Sequence, residues 1–149
     1  MADKQNDDPT GDPTEPNILI HCRRFHVERV ERQIGEHVDV RDVIRHPGSV
    51  VLLPIIDDGH ICLIRNHRIA VGRTLLELPA GTRETNEPPE ETARRELIEE
   101  TGYRCEQLVR MLEFYPAPGM LDEQMILYRA EGLVAGAPER ELGEQIENQ

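Results

Sequence analysis

The stretch GTRETNEPPEETARRELIEETGY, from Gly81 to Tyr103, carries seven glutamates and three arginines. Pro88 and Pro89 suit the first turn of a helix, because a proline nitrogen has no hydrogen to leave unpaired and its φ is already helical. Gly102 is placed to close that helix in a left-handed conformation. The spacing therefore predicts a helix from about Pro88 to Thr101. On it Glu96, Glu99 and Glu100 stand at i, i+3 and i+4 and share a face. Like charges at these separations repel, and near a helix C-terminus they also face the negative end of the macrodipole. A helix selected for stability alone would carry Lys or Arg there. Three carboxylates in that place are what divalent cations such as Mg²⁺ would offset.

Gly81, Glu87, Arg95, Glu96, Leu97, Glu99, Glu100 and Gly102 fall at fixed intervals. Their segment resembles the Nudix hydrolase signature: Gly, five residues, Glu, seven residues, Arg-Glu, an aliphatic residue, one residue, Glu-Glu, one residue, Gly and a bulky apolar residue. With ordinary residue frequencies a chance match in one window is on the order of 10⁻⁸, which sets aside a plain acidic surface helix. Tyr103 stands where the signature prefers an aliphatic side chain, and its ring can pack there with the hydroxyl at the edge. The likeness runs from about His46 to Gly132.

The resemblance implies an α/β fold, the family's α/β/α sandwich around a mixed sheet. It makes Glu96 and Glu100 the principal metal ligands, with Glu99 assisting, and adds the carbonyl of Ala80. Arg95 pairs with a carboxylate of the group and fixes its orientation. Gly81 permits a close backbone turn, and Glu87 steadies the loop or holds an outer metal water. The family cleaves nucleoside diphosphates linked to another group. Mg²⁺, with Mn²⁺ as an alternative, would neutralise charge on the pyrophosphate and lower the pKa of an attacking water.

The flanks narrow the substrate. LELPAG, IRNHRIAVGR and FYPAPGMLDE look like the ADP-ribose and nucleotide-sugar branch, and Pro118, 16 residues past Gly102, is similar to the proline that marks ADP-ribose pyrophosphatases. By the same likeness Arg68 contacts the pyrophosphate or terminal ribose and Glu77 sits at the substrate site. Glu123 bonds ribose hydroxyls, in its own subunit or from a partner subunit, and the branch is typically homodimeric. A solvated strand-end cation, a strand-ending proline and an ordinary loop carboxylate are the plainer readings of Arg68, Pro118 and Glu123. The general base is expected in the late loop GAPERELGEQIEN, with Glu144 first and Glu141 second. The expected reaction is conversion of ADP-ribose to AMP and ribose 5-phosphate. GDP-mannose or another nucleotide sugar is the alternative substrate, and a non-catalytic nucleotide-binding domain is the alternative role. Phe25, Phe114, Tyr103, Tyr115 and Tyr128 are the only aromatic rings of the Phe, Tyr and Trp type, too few to read a base preference.

Composition sets the frame. The 149 residues suit one domain. A formal charge of −12 opposes nucleic acid and anionic membranes as partners. No run approaches a membrane helix and the N-terminus is unlike a secretory signal, so a cytoplasmic protein is expected. Cys22, Cys62 and Cys105 have no metal or disulfide spacing and read as buried free thiols. Residues 1–16 read as a flexible acidic tail before a domain over 17–149. Strands are expected at ILIH and FHVERVERQI, and a buried hairpin at Val50–Ile56 and Ile61–Ile64 turning on Asp57-Asp58-Gly59. A short strand at Leu75–Leu78 enters a turn at PAG, and further strands fall at QLVRMLEFY and QMILYRA. Between Gly59 and Leu76 no acidic residue accompanies Arg65, Arg68 and Arg73. The chain is expected to lack the family's C-terminal strand and helix, leaving a sheet edge that favours pairing with a second copy.

Overall fold

A computed structural model of the chain describes residues 16–57, 59–139 and 146–149. At its centre β4 (Ser49–Asp57) and β10 (Met125–Val134) run parallel. Side chains alternate across a pleated strand, so Val50, Leu52 and Pro54 of β4 and Ile126, Tyr128 and Ala130 of β10 are buried while the residues between them are half-exposed. β9 (Arg104–Phe114) pairs antiparallel with β10, and both β5 (His60–Ile61) and β8 (Ala80–Thr82) pair antiparallel with β4. The result is the expected mixed sheet. Its buried face is covered by α1 (Pro89–Glu96), which contributes Ala93, and by the following π-helical turn (Leu97–Thr101), which contributes Leu97. Tyr103 packs against this core with part of its surface exposed.

Two smaller antiparallel sheets flank the central one. β1 (Asn17–His21), β2 (His26–Ile34) and β3 (His37–Arg45) form the first. It joins the rest where Ile44 N–H donates to the Met120 carbonyl and Asp122 N–H donates to the Ile44 carbonyl. β6 (Ile64–Arg68), β7 (Arg73–Glu77) and β11 (Ile146–Asn148) form the second.

Several expectations are corrected. The hairpin after β4 returns for only two exposed residues; the chain then leaves the central sheet, and Ile64 opens β6 opposite Glu77 of β7. PAG is not a free turn, because Ala80 and Gly81 belong to β8. β3 was not expected, and part of the tail read as a loop forms β11 on the edge of β6. Cys62 is buried, Cys105 is half-buried, and Cys22 is exposed. Burial pushes the Cys62 thiol above its usual range. The tail over 1–16 lies outside the described residues except for Pro16. Among the described residues no helix is long and apolar enough to cross a membrane.

Candidate metal and substrate site

α1 begins at Pro89, one residue after the expected start, with Pro88 as its extended N-cap, and Gly102 closes the helical segment with φ 78°. Side chains on the sheet-facing stripe are apolar, so the carboxylates leave from the flank that meets β8. Arg95 is the hub. Its Nη1 donates to Glu96 Oε1 at 2.7 Å and to Glu99 Oε2 at 2.9 Å. Its Nε and Nη2 donate to the two oxygens of Glu87 at 3.1 and 3.0 Å. Nη2 also reaches the Thr82 carbonyl at 3.3 Å. The bond to Glu87 and the charge of Glu96 raise the arginine's pKa above its already high value.

Glu87 is held at the other end of this fork. The Arg95 guanidinium, with help from the Glu84 N–H and the Thr92 hydroxyl, lowers its carboxyl to about 2. Thr92 Oγ1 donates at 2.8 Å and Glu84 N–H at 3.0 Å. Glu87 thus steadies the loop before the helix, one of the two roles expected of it.

Glu100 is only 4% exposed, and its Oε2 accepts from the Ala80 N–H at 2.9 Å. In the β4–β8 register Gly81 lies opposite Val50, Arg83 N–H donates to the Gly48 carbonyl and Leu52 N–H donates to the Pro79 carbonyl. Alternation along an antiparallel strand then leaves the Ala80 N–H and carbonyl on the side away from β4, toward the glutamates. Gly81 has a different reason from the expected turn. It is not in a left-handed conformation, but a Cβ there would run into the Glu96 carboxylate. The glycine is the space in which that carboxylate lies.

The donor set fits a hard divalent cation. Glu96, Glu99, Glu100 and the Ala80 carbonyl offer only oxygen, which such cations prefer. Glu87, Glu96 and Glu99 share the one guanidinium of Arg95, and Glu100 adds a fourth carboxylate beside them, so negative charge is in surplus in this group. Among the described residues no three of His, Cys, Asp and Glu are gathered as a ready ligand cage. The reason is visible: Arg95 holds Glu96 and Glu99 while Ala80 holds Glu100.

These glutamates form one wall of a cleft of about 1020 Å³. Arg68, Ala80, Arg95, Glu96, Glu99, Glu100 and Glu123 all line it, so most of the expected site residues are brought together. Glu77 comes close through Arg68, whose Nε and Nη2 donate to its carboxylate at 2.8–3.1 Å. Pro118 does not join them; it is exposed and lines a separate, smaller hollow with Tyr115 and Met120. Glu144 and Glu141 lie outside the described residues.

The opposite wall was not anticipated. The turn between β1 and β2, closed by the Cys22 N–H donating to the Phe25 carbonyl at 2.9 Å, places Arg23, Arg24 and Phe25 on the cleft. Arg83 lines it too, and among the described residues none of these three arginines pairs with a carboxylate. Adjacent arginines in so acidic a chain were a readable signal, but only the fold shows that they line the same cleft as the glutamates.

Known proteins resemble the chain in sequence and in fold. Residues 45–148 match the model of the NUDIX domain. The chain is 41% identical over 120 residues to an ADP-ribose pyrophosphatase of Bacillus subtilis (strain 168), covering 80% of this chain and 64% of that protein. It is 38% identical over 141 residues to an ADP-ribose pyrophosphatase of Mycobacterium tuberculosis (strain ATCC 25618 / H37Rv), covering 93% of this chain and 66% of that protein. The chain therefore spans just under two thirds of the length of these two relatives. A crystal structure of an ADP compounds hydrolase superposes with a TM-score of 0.75 over 94% of this chain and 80% of that one; at 24% identity it speaks to the fold alone. The chain belongs to the NUDIX domain family.

Proposed function

We propose that the chain hydrolyses the pyrophosphate bond of a nucleoside diphosphate-sugar, taking ADP-ribose to AMP and ribose 5-phosphate with Mg²⁺, or Mn²⁺ in its place. Nudix hydrolases generally need a divalent metal. The observation that carries the reading is the meeting of Glu96, Glu99 and Glu100 with the edge of β8, in a cleft that Arg23, Arg24, Arg68 and Arg83 also line. The name shared by two relatives supports ADP-ribose as the substrate.

Glu96, Glu100, Glu99 and the Ala80 carbonyl would hold the cation, which when bound neutralises pyrophosphate charge and acidifies a water. Arg95 keeps Glu96 and Glu99 aimed, so little reorganisation is left for the reaction. Glu99, the most exposed of the three carboxylates, is the one nearest to solvent for a part in catalysis. Arg68, oriented by Glu77, meets the pyrophosphate, and Arg23, Arg24 and Arg83 draw a polyanion toward an otherwise acidic protein. Glu123 accepts from ribose hydroxyls, Pro118 shapes the loop that carries it, and Glu144, or Glu141 in its place, serves as general base. A single catalytic domain over 17–149, a homodimer and a cytoplasmic location complete the reading. Exposed Ile20, Ile34, Val38 and Val40 on the N-terminal sheet support a contact between copies.

The test is product analysis with Mg²⁺, comparing ADP-ribose with GDP-mannose at equal concentration. AMP and ribose 5-phosphate from ADP-ribose, abolished by chelation, is the expected result. Cleavage of GDP-mannose alone refutes the choice of substrate, and cleavage of neither refutes the activity.

A further inference from the structure

We infer that Ser49 fixes Glu123 as a hydroxyl acceptor on the cleft wall, so that Ser49 is a positioning residue by which the protein selects nucleoside diphosphates whose second group carries sugar hydroxyls. The inference deepens the substrate reading above and rests on it.

Ser49 opens β4 and is 4% exposed. Its backbone stands opposite Met125 of β10 on one side and Thr82 of β8 on the other, so the central sheet holds it from both sides. Its Oγ donates to Glu123 Oε1 at 2.7 Å, a length typical of a hydroxyl bonded to a charged oxygen. His46 Nδ1 lies 3.5 Å from the same oxygen but accepts from the Gly48 N–H at 3.2 Å. With that lone pair engaged, the ring proton is assigned to Nε2, and Ser49 is the donor to Glu123.

The backbone beneath Glu123 is clamped as well. Ser49 N–H donates to the Gln124 carbonyl at 2.9 Å. His46 N–H and Arg45 Nη1 donate to the two oxygens of Asp122 at 2.8 and 3.2 Å. Gly48, with φ +91°, lets the strands close to where a Cβ would stand 3.0 Å from the Gln124 carbonyl. Main chain and one carboxylate oxygen are thus fixed, while Oε2 bonds to no described residue. His46, Ser49 and Glu123 all line the cleft.

The chemistry of that oxygen defines what it takes. An anionic acceptor repels phosphate and accepts from a neutral hydroxyl, so this corner suits the sugar rather than the pyrophosphate. A site built to bond a hydroxyl discriminates strongly against an analogue lacking it, because a partly desolvated carboxylate is then left unpaired. Without the Ser49 hydroxyl the Glu123 carboxylate can swing, and that discrimination falls.

The experiment compares wild type, Ser49→Ala and Ser49→Thr on ADP-ribose and on the methyl ester of ADP, whose second group has no hydroxyl. Binding of α,β-methylene ADP-ribose by calorimetry and the melting temperature of each variant are measured alongside. Ser49→Ala should raise KM for ADP-ribose and Kd for the methylene analogue about tenfold, the scale of one bond to a charged group. It should leave kcat within about twofold and KM for the methyl ester unchanged. Ser49→Thr, which keeps the hydroxyl, should restore the wild-type values. Equal shifts for both substrates, no shift for either, or a folded Ser49→Thr that behaves like alanine would overturn the inference. If Ser49→Thr melts, the split that Ser49→Ala shows between KM for ADP-ribose and KM for the methyl ester decides alone. Wild-type protein that cleaves neither compound refutes the proposed activity instead; the Ser49 inference is then decided by calorimetry, and absence of binding refutes it.

Discussion

Replacing Gly81 by alanine isolates the contribution of the Glu96 carboxylate without touching that residue. The new Cβ would stand far inside the 3.0 Å that real Cβ contacts essentially never breach, with the carboxyl carbon and both oxygens of Glu96 as its nearest neighbours. Because the obstacle is the end of a flexible side chain, the carboxylate yields and the backbone stays. It must retreat by about 1 Å or more, and displacements of that size at a reacting centre cost about 10²-fold. Arg95 would lose its bond to Glu96 but keep Glu87 and Glu99. One charge-assisted bond is worth roughly 1.5–3 kcal/mol, and alanine for glycine at a tolerated φ returns about 0.4–1 kcal/mol. The net loss of about 1–2 kcal/mol corresponds to a fall in melting temperature of roughly 3–6 °C. Release of AMP from ADP-ribose across a Mg²⁺ titration should therefore show kcat/KM reduced about a hundredfold and the cation midpoint raised. Unchanged kcat/KM with an unchanged midpoint would refute the placement of Glu96 at the metal site. A variant that does not fold would refute the claim that a side chain absorbs the clash.

Glu100→Gln should keep an acceptor for the Ala80 N–H and melt close to wild type, while turnover falls by about 10³-fold; equal turnover in the two proteins sinks the role of Glu100. Glu87 predicts a pH dependence. Its carboxyl is lowered from 4.5 to about 2 in the folded protein, so its stabilisation is complete above the unfolded value and is lost as pH falls from about 4.5 toward 2. The contribution is on the order of 2 kcal/mol. Glu87→Gln should thus be less stable than wild type in urea at pH 6, with the gap narrowing at pH 3; a gap of the same size at both values contradicts the assignment.

What could be read beforehand was what is local. The glutamate segment was legible because its spacing, its two prolines and Gly102 act within one helix and the loop before it. β4 and β10 were legible because an apolar run suits a strand covered on one or both faces. The π-helical turn was not, since widening one turn leaves the residue pattern unchanged. β3 was missed because Val38 and Val40, though alternating, lie exposed among charges and mark no core. The hairpin was misread because Ile61–Ile64 is apolar enough to continue either sheet, and only the pairing of Ile64 with Glu77 shows which one it joins. At the site, the roles of Gly81 and Ser49 depend on contacts with residues 15 and 74 positions away, and no local pattern announces them. The Arg23–Arg24 turn belongs to the same class.

The attachment of the N-terminal sheet through the end of β3 has a consequence for motion. Its three strands bond to one another along their length, whereas the described bonds to the rest involve Ile44, Arg45 and their partners in the 120–122 segment. Such a sheet can open as a separate cooperative unit at a lower free energy than the core. Amide protons of β1 and β2 should then exchange with deuterated solvent before those of β4 and β10, and simultaneous exchange of all four would exclude it. Since the turn bearing Arg23 and Arg24 belongs to this unit, the basic wall of the cleft can loosen on its own clock while the glutamate wall, anchored on β8 and α1, stays assembled.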